Sequence, residues 1–353
     1  MCLHSWRKLL KESITGVEEL PGHLLPAGDL TKVISRYPMR INPYYLGLIK
    51  EIGDPLWLQA VPSIDEIKDR ICFEDPLDEE NLSPVANLVH KYPDRVLFLV
   101  NGQCAMYCRF CTRKRKVGSR AMSITGESVE AGLDYIRRTP EVRDVLVSGG
   151  DPLLLPDEDL EYILARLRDI PTVEIIRIGS RVPCTLPMRI TGNLAAILKK
   201  YHPLYINTHF NHPRELTTQA AGACARLADS GIPLGCQTVL LRGVNDNPQT
   251  IKDLMRGLLR IRVKPYYLFQ GDMTQGTNHF RTTVKTGQEI MRSLIGHVSG
   301  MAVPTYAVDA PGGGGKIPLT PAYIHKSNEA GLISSEMVFS NYLGKTCYYS
   351  EGQ

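Results

Sequence analysis

No stretch of the 353-residue chain approaches the roughly 20 uninterrupted apolar residues of a membrane-spanning helix, and its start, MCLHSWRKLLKES, lacks the apolar core of a secretory signal. A membrane or exported protein is not expected; a cytoplasmic one is. Nor is there an even, regular set of cysteines. The nine (Cys2, Cys72, Cys104, Cys108, Cys111, Cys184, Cys224, Cys236 and Cys347) are odd in number and unevenly spaced, which argues against a disulfide framework and for a reducing compartment. Net charge is small: 41 Lys and Arg against 37 Asp and Glu leave +4. Apart from RKRK at 113–116 the positive charge is dispersed, so composition gives nucleic-acid binding little support. Internal repeats, low-complexity tracts and an interdomain linker are also missing. With 43% hydrophobic and 22% charged residues, what remains is a soluble globular protein with one large core or two domains.

The pattern that is present is regular from Arg95 onward. Residues 1–94 read as a proline-rich region of helices and turns. After it, apolar runs (RVLFLV from 95, VRDVLVS from 142, VEIIRIG from 173, LYINTHF from 204, PLGCQTVLL from 233, KPYYLFQ from 264, AVPTYAV from 302) alternate with amphipathic segments. In DEDLEYILARLRDI, for example, Leu160, Ile163, Leu164 and Leu167 fall on one helical face. Apolar strands separated by such helices predict a parallel sheet, because each right-handed crossover lays its helix on the outside. The expected fold is α/β, a partial (β/α) barrel over 95–282 with a helical region before it and a segment, 283–353, packed on it. Polar and glycine-rich residues follow the strands: the cysteines, SGGDP at 148–152, GSRVP at 179–183, Asn207 and His209, Gln237, Gln270 and Asp272, then Asp309 before PGGGGK. They mark one end of the sheet, the rim where such barrels place their chemistry.

Two of these features demand specific chemistry. Cys104, Cys108 and Cys111 stand in a Cys-x3-Cys-x2-Cys run with no fourth cysteine or histidine nearby, whereas structural zinc normally takes four protein ligands. Three thiolates can instead hold three irons of a [4Fe-4S] cluster and leave the fourth open. Unliganded cysteines, or a zinc with a distant fourth ligand, are the competing readings. In VDAPGGGGK, Ala310 and Ile317 occupy positions where a P-loop needs glycine and Ser or Thr, so ATP is disfavoured. Four consecutive glycines fit either a flexible lid or a backbone that passes close to a cofactor, with Lys316 free to form a Schiff base with pyridoxal phosphate (PLP).

The cysteine run after the first barrel strand resembles that of the radical S-adenosylmethionine (SAM) superfamily. There the open iron chelates the amino and carboxylate groups of SAM, and an electron from the cluster splits SAM to give a 5′-deoxyadenosyl radical. HKYPDRVL, CAMYCRFCTRK, SGGDPL, INTHFNHP, CQTVLLRGVND and DAPGGGGK together resemble, in order and approximate spacing from about 40 to 325, the lysine 2,3-aminomutase family. The resemblance implies a radical shift of the 2-amino group of L-lysine to C3, giving β-lysine. It implies that Cys104, Cys108 and Cys111 hold the cluster and that Lys316 carries PLP, with Lys91, Tyr92 and Arg95 on its phosphate and ring. SAM would be contacted by Ser148, Gly149, Gly150, Asp151, His209 and Gln237, and the substrate by Arg113 at its α-carboxylate and by Asp272 and Asp309 at its ε-ammonium. Where the family usually has arginine this chain has Lys91, a charge without the bidentate fork. Some members bind zinc through a cysteine near position 247 and a C-terminal cysteine cluster. With Asn247 and a solitary Cys347 here, no zinc is expected. An electron donor such as flavodoxin or ferredoxin, and a homo-oligomer, are expected partners; nucleic acid and membrane are not. Related alternatives are an arginine or glutamate 2,3-aminomutase and an enzyme acting on a lysyl residue of a translation factor. A non-enzymatic metal-binding module is the reading from another class.

Overall fold

The computed structural model describes residues 6–325 and 336–350; Cys2 lies outside them. Prolines keep the helices of the N-terminal region short. Pro43 and Pro55 each open a helix, Pro43–Leu46 and Pro55–Ala60, at the position that has no N–H to satisfy, and Asn42 and Asp54 cap them. The region ends in a strand, β1 (Leu88–Tyr92), which turns tightly at Pro93 and Asp94 into β2 (Arg95–Asn101) and pairs with it antiparallel.

From there the chain alternates as the sequence predicts: β3 (Asp144–Gly149), β4 (Ile175–Gly179), β5 (Leu204–Thr208), β6 (Leu234–Leu240), β7 (Lys264–Gln270) and β8 (Thr305–Ala310). Strands β2 to β8 are parallel, and β9 (Gly315–Pro318) returns antiparallel to β8, completing one nine-stranded sheet in sequential order. A small separate sheet contains β10 (Ile324–His325), β11 (Glu336–Ser340) and β12 (Thr346–Ser350). No described helix is long and apolar enough to cross a membrane.

Strand periodicity divides the barrel into a dry side and an open side. Val145, Val147, Ile176, Ile178, Leu204 and Ile206 are fully buried, packed with Leu160, Leu164 and Leu167 of helix Asp157–Arg168. The alternate positions, among them Ser148, Asn207, Gln237 and Phe269, are only half-buried, because they line a barrel interior that side chains do not fill. Edge strands β1 and β9 do not pair with each other by backbone. Side chains of β1 bridge the gap, Lys91 to Asp309 of β8 at 3.6 Å and the Tyr92 hydroxyl accepting from the Lys316 amide of β9 at 3.0 Å.

Candidate functional site

The loop after β2 is held from three directions. Its backbone donates to the N-terminal region, Tyr107 N to Arg40 O and Arg109 N to Gln59 O. The buried Arg109 guanidinium grips both oxygens of buried Glu66, which also accepts from Lys114 Nζ at 2.9 Å. On the other side Gly150 N and Asp151 N donate to Asn101 O and Gln103 O. That approach explains the glycine pair: a Cβ would lie 2.3 Å from Asn101 O at Gly149 and 2.4 Å from Gln103 O at Gly150.

Cys104, Cys108 and Cys111 lie half-buried on this loop, and no disulfide joins them. Burial pushes the Cys104 thiol well above the ordinary range, reinforced by Asp151 and the other two cysteines; burial and Cys108 raise Cys111. Cys108 accepts a hydrogen bond from Arg181 Nη1 at 2.8 Å. Arg181 follows β4 and is itself held by Glu215 and Gln59, each at 2.7 Å.

The residues assigned to SAM are brought to this rim, with differing freedom. Asp151 has none to spare: its carboxylate accepts from Ser180 Oγ and from the amides of Leu153, Arg181 and Val182, tying the turn after β3 to the turn after β4. Burial raises its pKa to about 6. His209 lies against the Phe110 ring, tilted by 33°, and burial followed by Arg181's charge lowers its pKa to about 3, so the ring is neutral. Asn211 Oδ1 accepts from His209 Nε2 at 2.9 Å, which fixes the proton there and leaves Nδ1 as an acceptor. The Gln237 amide makes no hydrogen bond among the described residues, while Asn207 Nδ2, Thr208 Oγ1 and Arg181 Nε are buried and unpartnered. A polar ligand in the barrel would find Gln237, Asn207 and Arg181 waiting, whereas Thr208 shares the dry face of Leu204 and Ile206.

At the opposite edge the glycine run forms a hairpin. Positive φ at Gly312, Gly313 and Gly315 (70°, 77° and 84°) turns β8 back into β9. The register sets Asp309 opposite Lys316, and Lys316 Nζ lies 3.2 Å from Asp309 Oδ2. Lys316 also reaches over the Phe269 ring at 5.4 Å and the Tyr92 ring at 6.0 Å. Arg95 covers Tyr92 at 4.2 Å, so Lys91, Tyr92, Arg95 and Lys316 form one group. Asp272, just past β7, is half-buried, and its Oδ1 is buried without a partner. Burial and then the charge of Asp309 raise it to about 7, against the opposing effect of Lys316 and Lys91.

Arg113, expected at the substrate α-carboxylate, already has a partner in the protein. Glu79 accepts from its Nε at 2.9 Å and its Nη2 at 2.5 Å. Neither this carboxylate nor Arg181 stands out in the sequence: Glu79 sits in the acidic run DPLDEEN, which reads as a solvated turn, and Arg181 in the turn GSRVP.

Sequence comparisons place this geometry in a family. Residues 99–255 match the radical SAM superfamily model and residues 291–353 a lysine-2,3-aminomutase model. An L-lysine 2,3-aminomutase of Methanococcus maripaludis is 52% identical over 90% of this chain and 77% of its own length. One from Clostridium subterminale is 48% identical over 99% of this chain and 84% of its own. The chain belongs to the lysine 2,3-aminomutase family. A glutamate 2,3-aminomutase of Clostridioides difficile is also similar, 47% identical over 84% of this chain and 70% of its own length.

As a lysine 2,3-aminomutase relative the chain is a radical SAM isomerase, and the superfamily's cluster and SAM fit the rim. Three sulfurs on one clamped loop, one receiving a guanidinium hydrogen bond, are of the number and kind that a [4Fe-4S] cluster with one open iron requires. They do not close on one point: among the described residues no three Cys, His, Asp or Glu side chains are placed to hold a single metal ion. Asn247, where zinc-binding relatives were expected to carry cysteine, caps helix Pro248–Arg260 by accepting from Thr250 N.

Proposed function

We propose that this enzyme moves the amino group of free L-lysine from C2 to C3, giving β-lysine, with PLP carried on Lys316, reducing electrons from a donor such as flavodoxin or ferredoxin, and a homo-oligomeric assembly. The observation that carries the substrate is Asp272: a half-buried carboxylate with one buried, unpartnered oxygen, facing the mouth that also holds Asp309 and Lys316. A buried acid without a partner is costly, and a substrate ammonium satisfies it.

The group around Lys316 fits PLP. Lys91 and Arg95 supply positive charge for a phosphate, Tyr92 and Phe269 supply ring surfaces, and Lys316 supplies the amine. When bound, the cluster with SAM would supply a hydrogen-abstracting radical, and PLP would delocalise the unpaired electron of the substrate during the shift.

The protein's own side chains do the rest. Asp272 and Asp309 bind the ε-ammonium and so set the length of the substrate. Arg113 pairs with the α-carboxylate, which a lysyl residue within a peptide would lack. Asp309 at present pairs with Lys316; an amine engaged by a carbonyl would release that oxygen for the substrate. The clamped loops keep the reacting atoms near contact and exclude water, which a primary radical would otherwise attack. Against glutamate as substrate, its side-chain carboxylate would face two acids and be repelled.

Anaerobic incubation with SAM, PLP, dithionite and either L-lysine, L-arginine or L-glutamate, read by NMR for β-amino acids, tests the assignment. L-lysine should be the preferred substrate, and borohydride reduction should fix the pyridoxyl group on Lys316. Preference for arginine or glutamate, or label on another lysine, overturns the respective part. Asp272→Asn and Asp309→Asn should each cost about 2 to 5 kcal/mol in L-lysine binding while SAM and PLP remain bound.

A further inference from the structure

Between the helices of the N-terminal region and β1 runs a strap, residues 73–83, that touches each part of the mouth. Phe73 donates to Met273 O and accepts from Gln275 N, both at 2.8 Å, fixing the strap to the loop that carries Asp272. Pro76 O accepts from Gly312 N at 2.8 Å, and a Cβ on Gly313 would lie 3.0 Å from Leu82, fixing it to the hairpin of Lys316. Asp75 and Glu80 pair with Arg115 at 3.1 and 3.2 Å, and Glu80 with Lys116 at 2.8 Å, fixing it to the cysteine loop. At its centre stands Glu79, nearly buried, on Arg113.

An arginine offers two forks, Nε with Nη2 and Nη1 with Nη2. Glu79 occupies the first, and nothing among the described residues accepts from Nη1. We propose that Glu79 is a positioning residue for the α-carboxylate subsite: it locks Arg113 by one edge so that the Nη1 edge is presented, already oriented, to the substrate carboxylate. This rests on the reading of Arg113 given above. Two carboxylates can share one guanidinium because each takes a different edge and its five N–H donors exceed what either uses. Preorientation spares the entropy of fixing a long side chain at the moment of binding. Because the strap is bonded to both the Asp272 loop and the Lys316 hairpin, the same contact fixes the distance between the subsites for the two ends of the substrate.

The test uses anaerobic holoenzyme loaded with cluster, PLP and SAM, titrated with L-lysine and with L-lysinamide, which lacks the α-carboxylate, and followed by PLP absorbance. Iron content and SAM binding verify that each variant is intact. Glu79→Gln keeps the size but loses one charged acceptor. It should weaken L-lysine roughly tenfold and leave L-lysinamide within about twofold. Arg113→Met should lose more on L-lysine and likewise spare L-lysinamide. If Arg113→Met binds L-lysine normally, the carboxylate reading itself is wrong. If Arg113→Met discriminates and Glu79→Gln does not, only the role of Glu79 fails. Tighter L-lysine binding by Glu79→Gln would make Glu79 a competitor, and equal loss on both ligands would make it structural; each overturns the proposal. Should Glu79→Gln fail to hold iron, Glu79→Asp, which keeps the charge but withdraws it by one methylene, is read by the same comparison.

Discussion

A single proton on Asp272 links the state of the site to pH. Its pKa, raised to about 7 chiefly by burial and then by Asp309, means that near neutrality a large share of molecules carry a neutral carboxyl there. Only the ionised form pairs with an ammonium, so acidification must expel substrate. L-lysine affinity should fall by up to about tenfold per pH unit below 7 and level off above it. Asp272→Asn should flatten that profile, measured as the dissociation constant of L-lysine between about pH 6 and 8. A wild-type constant independent of pH would show that Asp272 does not face the ammonium. At this scale the sequence shows which residues are at the rim but not how they are partnered. Asp272 and Asp309 look equivalent as aspartates after successive strands; the structure separates them, because the β8–β9 register gives Asp309 one lysine, Lys316, and β1 brings it a second, Lys91, while Asp272 is left alone. Arg113's engagement by Glu79 was hidden for the same reason, 34 residues separating the partners.

The elements themselves were largely legible, because their signals are local. Each apolar run from Arg95 onward overlaps a barrel strand, and the amphipathic face of DEDLEYILARLRDI is the buried face of helix Asp157–Arg168. Two edge strands were not. Strand β1 contains LVHKY, in a stretch that proline content marked as helix and turn, and β9 begins within the glycine run that reads as a loop. Both are short, and both owe their strand conformation to the neighbour they pair with rather than to their own residues. The glycines nonetheless carry distinct burdens that substitution can separate. At Gly149, φ is 136° and a Cβ would strike a backbone carbonyl, so Gly149→Ala should displace the cysteine loop and abolish iron loading. Gly315→Ala meets the Tyr92 side chain, nearest at its hydroxyl at 3.2 Å, and should cost about 1 to 2 kcal/mol through its positive φ, detectable as a lowered Tm with iron retained. Gly192, at a helix start with nothing within 4 Å, is the control that should tolerate alanine.

At the scale of the whole molecule, the N-terminal region is what turns an open sheet into an enzyme. It supplies β1, the strap and, through Glu66, the anion on which the cysteine loop is fastened. Glu66 is buried with Arg109 and Lys114, whose own carbonyl partners lie at Tyr37, Pro38 and Gly276, so one carboxylate joins the N-terminal helices, the cysteine loop and the loop after β7. Burial alone would raise its pKa, but Arg109 and then Lys114 overcome that and hold it at about 2. Removing the anion strands two buried cations, so Glu66→Gln should lose about 3 to 5 kcal/mol and much of its capacity to load iron. The surface pair Lys200–Glu161 gives the contrast, where Glu161→Gln should leave the denaturant midpoint nearly unchanged. The pH dependence follows from the direction of the shift. A carboxyl whose folded pKa lies below its unfolded value of 4.5 contributes fully above that value and loses its contribution as pH falls toward about 2. Denaturant midpoints measured from neutral pH down to about pH 3 should therefore fall more steeply for the wild type than for Glu66→Gln. The two curves should draw together as the pH falls, and would meet only below about pH 2, where the native carboxyl is itself protonated. Parallel curves across the whole range would mean that the triad is not the clasp that holds the cysteine loop to the rest of the barrel.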